Sequence, residues 1–130
     1  MVSRSLKSKL RRSICLKGAR LLNVTFFKDS RERLSSISAD GHAEWDEEGQ
    51  DIVCAAVSAI LQAARLGLER YASAVPQAHQ TKGNFRLSWA VEKRDDPAVN
   101  AIVNTARLAI ERIASDYPDH VRFALRPLEA

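Results

Sequence analysis

Cysteine is scarce in this 130-residue chain: there are two, Cys15 and Cys54. Two cysteines cannot build the disulfide framework of a small secreted domain, and a thiol used for chemistry fits a reducing cytoplasm. No apolar run approaches the roughly 18 residues that span a bilayer, so a membrane partner is not expected. There are no internal repeats or low-complexity tracts. Acidic residues are missing from the first twenty positions, which also lack the continuous apolar segment of a secretory signal. The length suits one domain with a real core and leaves no room for a second.

The formal charge of +4 is unevenly spread. Residues 1–20 hold seven basic side chains (Arg4, Lys7, Lys9, Arg11, Arg12, Lys17 and Arg20) and no acid. That leaves thirteen basic groups against sixteen acidic ones in the remainder, a net of −3. The chain therefore reads as a basic, flexible N-terminal arm at 1–20 joined to a mildly acidic domain at 21–130. The total charge gives no support to nucleic-acid binding by the folded part. The arm, which includes Cys15, is either a plain disordered tail or a segment making weak contact with RNA.

What is present centres on the stretch from Gly41 to Cys54. His42 opens a short loop, and Asp51 is a natural N-cap for the helix that follows. Ile52, Val53, Val57, Ile60, Leu61, Ala64 and Leu68 recur at helical spacing and predict its buried face. Cys54 falls at about the third helical position, where the positive end of the helix dipole favours a thiolate. An imidazole within reach could take the thiol proton and return one to a leaving group. Ser58, one turn after Cys54, shares its side of the helix, on a face expected to stand apart from the centre of the apolar stripe. It either hydrogen-bonds near the thiol or simply packs. The loop between His42 and Cys54 holds Glu44, Asp46, Glu47 and Glu48; it is either a solvated turn or an acidic flap that attracts a basic substrate segment. Trp45 within it either stacks on substrate or anchors the loop.

Gly41-His42-Ala43, then Gly49, then the block Asp51-Ile52-Val53-Cys54-Ala55-Ala56-Val57-Ser58-Ala59 together resemble the signature of the ribosomal-processing cysteine proteases, the Prp family. The His-to-Cys separation is part of the match. In outline the resemblance runs from about Leu21 to about Leu125. It implies a cysteine endopeptidase that removes the N-terminal extension of a large-subunit ribosomal protein. Cys54 would be the nucleophile and His42 the general base and acid, with Gly41, Asp51 and Ser58 in support. It also implies a homodimer and a peptide substrate with aromatic residues before the cut. Without the resemblance, a helical cysteine between Val53 and Ala55 reads as a small core residue.

The rest of the chain supplies a scaffold. Leu21–Phe27 alternates as a strand, and Arg31–Ala39 is its expected hairpin partner, although Leu34 is out of phase with Ile37 and Ala39. The helix runs from Asp51 to about Tyr71. Ala72–Asn84 reads as a loop with an exposed His79 and no sign of the extra short strand that family members often have. Phe85–Glu92 alternates cleanly. Asp95-Asp96-Pro97 starts a second helix whose core face is Val99, Ile102, Val103, Ala106, Ile110, Ile113 and Ala114; Tyr117-Pro118 ends it. His120–Arg126 is the last strand. The expected fold is α+β: a two-layer domain with a mostly antiparallel sheet of about four to five strands and two amphipathic helices on one face.

Two other readings compete. The protein could be a non-catalytic ribosome-associated homodimeric binding module, using the arm and the dimer without turnover. A metal site on Cys54 and His42 would have two ligands where zinc takes three or four, so neither metal nor other cofactor is expected.

Overall fold

Strand β1 (Leu22–Lys28) and strand β2 (Leu34–Asp40) form the antiparallel hairpin that opens the domain. They belong to a computed structural model that describes residues 21–41, 52–81 and 83–128. The arm at 1–20, with Cys15, and the acidic segment with Trp45 lie outside the described residues. Leu34 is out of phase because β2 bulges. Phe27 pairs with Ser36 and Lys28 with Leu34, so Ser35 is an extra residue. The slip turns Leu34 inward with Ile37 and Ala39, and it buries Ser35 as well. Ser35 Oγ donates to the Phe27 carbonyl at 3.1 Å, which satisfies the hydroxyl.

Helix α1 (Ile52–Tyr71) follows, then strand β3 (Gln77–Thr81) and strand β4 (Asn84–Ser88). Strand β3 corrects the expectation of a loop. All five of its residues are exposed, so it has no apolar alternation to betray it. It forms through main-chain pairing with β4 alone, at the edge of the sheet. His79 is exposed as expected, but from a strand. Strand β4 stops four residues short of the expected end. Trp89 still turns inward, donating its indole N–H to the Leu34 carbonyl at 3.1 Å, whereas Val91 enters a 3-10 turn and is exposed.

Helix α2 (Pro97–Asp116) starts where the sequence places it. The Asp96 carboxylate accepts from the N–H groups of Ala98 and Val99 at 2.7 and 3.3 Å, with proline at the first helical position. Strand β5 (Val121–Pro127) then pairs with β1 in parallel. The sheet order is β3-β4-β2-β1-β5, antiparallel apart from that one pair.

One face of the sheet carries Leu22, Val24, Phe26, Ile37, Ala39, Phe85, Leu87 and Val121, all buried. Both helices cover it, α1 through Val57, Leu61 and Leu68, α2 through Val99, Val103 and Ile110. Each fully buried aliphatic of this kind contributes on the order of 2 kcal/mol. By length and composition α1 is apolar enough to cross a membrane, contrary to the reading of the sequence. In this fold its inner stripe is instead spent on the sheet.

The far end of the hairpin is pinned by a carboxylate. Asp29 Oδ1 accepts from the N–H groups of Arg31 and Arg33 at 2.9 and 3.0 Å, and Oδ2 from the side chains of Arg33 and Arg94, each at 3.0 Å. Burial pushes the Asp29 pKa up, but these hydrogen bonds and the Arg33 charge outweigh it and hold the group well below the usual carboxylate range. Arg33 also reaches Asp95 at 2.9 Å, which ties the hairpin turn to the start of α2.

Candidate active site

Cys54 is the third residue of α1, so its N–H is among the first four of the helix, which have no acceptor within it. The side chain is 6% exposed and heads the stripe Cys54, Val57, Leu61, Ala64 and Leu68 that packs on the sheet. This corrects the expectation of a face apart from the stripe, because the spacing 54, 57, 61 is itself the core spacing. Ile52, expected inside, is 70% exposed.

Cys54 and the half-buried Ser58 line one small cavity. Leu22, Ala39 and Phe85 close it from the sheet, and Gln62 and Gln80 stand at its polar side. Its volume is about 10 Å³, room for about one water. Gln62 Nε2 donates to Gln80 Oε1 at 3.1 Å, which links α1 to the edge strand β3. Neither glutamine is evident from the sequence as a site residue. Gln62 lies one and two turns beyond Ser58 and Cys54, a usable signal, but Gln80 depends on a strand that has no pattern. The residues lining the cavity carry no charge, so none of them opposes a thiolate at Cys54.

Gly41 directly follows β2, two residues beyond the cavity-lining Ala39. Its φ of +100° lies where side chains are strongly disfavoured. A Cβ there would overlap the Leu21 carbonyl oxygen, far inside van der Waals contact. Its N–H donates to the Gly83 carbonyl at 3.1 Å. The chain is thus fixed in direction at the residue before His42. His42 itself and Asp51 lie outside the described residues. Of the five expected site residues, the structure brings Cys54 and Ser58 to one cavity and sets Gly41 at the end of the strand that borders it.

The family described as cysteine protease Prp matches residues 21–122. Among solved structures, SMU.848 from Streptococcus mutans is 25% identical, with a TM-score of 0.75 over 83% of this chain and 96% of that one. The ribosomal processing protease Prp from S. aureus in complex with a covalently linked product peptide is 22% identical, with a TM-score of 0.71 over 81% of this chain and 99% of that one. The same protease with a substrate peptide gives a TM-score of 0.72 at 22% identity, with the same coverage. At that identity the S. aureus structures speak for the fold. No curated protein matches the chain. A match over most of the length, on this fold and with a cysteine at the opening of α1, settles the family: the chain belongs to the Prp cysteine proteases.

Proposed function

We propose that the protein is an endopeptidase that removes the N-terminal extension of a large-subunit ribosomal protein, with Cys54 as nucleophile and His42 as general base and acid. The observation that carries this reading is the position of Cys54, in the first turn of α1 and at the wall of a cavity bordered by an exposed edge strand. The S. aureus relative with a covalently linked product peptide supports a covalent step.

In this mechanism Cys54 Sγ attacks the scissile carbonyl carbon while His42 takes the thiol proton. The carbonyl oxygen becomes an oxyanion, which we assign to backbone N–H groups at the opening of α1. The C–N bond breaks, His42 protonates the leaving amine, and a thioester remains on Cys54. Water deprotonated by His42 then hydrolyses the thioester. We assign Asp51 to capping the helix and Ser58 to packing beside the thiol. The outer edge of β3 offers main-chain groups to an extended peptide beside the cavity. A thiol nucleophile fits a reducing cytoplasm, to which we assign the protein.

We assign the homodimer implied by the family to the outer surface of the helix layer. Leu66 and Leu108 are 60% and 58% exposed there. They share that surface with a groove of about 420 Å³ floored by small residues such as Ala63, Gly67, Ala101 and Ala109. A knob and a hole on one surface are what a two-fold, self-complementary interface needs.

The test is incubation with a peptide matching the start of the host's ribosomal protein, beside Cys54→Ser. Cleavage by the native protein and none by the variant is expected; equal cleavage by both removes the mechanism. A non-catalytic ribosome-associated dimer would show no cleavage by either.

A further inference from the structure

The sheet face away from the helices carries three arginines and, among the described residues of its paired rows, one acid, Asp40. On α1 and α2, Arg65, Arg107 and Arg112 each pair with an acid one turn on, and Arg33 and Arg94 share Asp29. The side chains of Arg86 on β4 and Arg122 and Arg126 on β5 are exposed and make no hydrogen bond or ion pair among the described residues.

The register puts all three on the face opposite the helices. Arg86 pairs with Ser38, and Ser38 with Thr25. Arg122 pairs with Asn23, and Arg126 with Phe27. Exposed His79 sits beside Arg86 on β3. Asp40 is the acid on these rows. The face therefore has one arginine on β4 and two on β5, about 14 Å apart across three strand spacings, and Arg122 and Arg126 are about 13 Å apart along β5. Between β4 and β5 lie the hydroxyls of Thr25, Ser36 and Ser38, with Asn23, Phe27 and Asp40 on the same face. The net charge of the domain hides this arrangement, because the described acids other than Asp40 lie off these rows.

We propose that this open face docks on structured RNA. In an A-form helix the shallow minor groove presents 2′-hydroxyls between two phosphate backbones, the same order of chemistry across a similar breadth. Arginines would take the phosphates, and the hydroxyls would face the sugars. The helices and Cys54 lie on the other side of the sheet, so docking leaves the cavity open. The inference does not depend on cleavage.

The test is fluorescence anisotropy of the full chain with a fluorescein-labelled RNA hairpin at several salt concentrations. The triple change R86S/R122S/R126S is expected to weaken binding about tenfold or more and to lower the salt slope by about two to three. Lysine at the same three positions keeps most of the affinity. R65S/R107S/R112S, on the helix layer, binds as the native protein does. Peptide cleavage measured on the same samples stays at the native level for the serine triple, which separates this inference from the protease reading and reports that the variant is folded. Native affinity and slope in R86S/R122S/R126S overturn the proposal, as does displacement of the RNA by polyglutamate at equal charge.

Discussion

Gly41 donates its N–H to the Gly83 carbonyl at 3.1 Å, so the end of β2 is tied to the turn between β3 and β4. The same residue has a φ of +100° and leaves no space for a Cβ against the Leu21 carbonyl. Gly41→Ala must then both strain the backbone and displace β1. We expect a loss of about 3 kcal/mol or more in stability and at least about a tenfold loss of peptide cleavage. Chemical denaturation and a cleavage assay measure the two.

Asp29→Asn lowers the melting temperature at pH 7, because it removes the anion shared by Arg33 and Arg94. The sign with pH follows from the depressed pKa of Asp29. A carboxylate held below its unfolded value of about 3.9 stabilises fully above that pH and loses the contribution as pH falls through the folded value. The gap between native and variant melting temperatures should thus be widest near neutrality and shrink below about pH 4. Thermal melts between pH 2.5 and 7 test this; a gap independent of pH contradicts it.

Trp89→Phe removes the buried donor to the Leu34 carbonyl at the β2 bulge. An orphaned buried carbonyl and the lost ring volume together cost about 2 kcal/mol. Urea denaturation should show that loss while cleavage by the folded fraction stays unchanged.

Leu66→Glu places a charge on the surface assigned to the dimer. Sedimentation equilibrium should report a monomer, against a dimer for the native protein. A variant that stays dimeric moves the interface elsewhere.

Much of this architecture could be read from the residues. The two helices announced themselves by spacing and, for α2, by Asp96 and Pro97, since a helix that covers a sheet must repeat its apolar residues every three or four. β1 and the inner half of β4 alternated because one face of each is buried. β3 did not, because an exposed edge strand is held by main-chain bonds that leave no mark on side-chain polarity. Leu34 misled for a related reason: a bulge shifts the phase, and only pairing reveals it. At the site, Cys54 is legible as an address on a helix, but the spacing 54, 57, 61 puts it in the buried stripe and not on the separate face expected. Gln80 could not be found without β3. Gly41 is legible as part of the motif, and its positive φ with the crowding at Leu21 shows why nothing larger stands there.

The most direct test of the central claim is intact-mass analysis of the protein quenched in acid during turnover of the ribosomal-protein peptide. The account predicts a transient species heavier by the N-terminal fragment of that peptide, mapped to Cys54 and missing from Cys54→Ser. Turnover with no such adduct, persisting in Cys54→Ser, would contradict it.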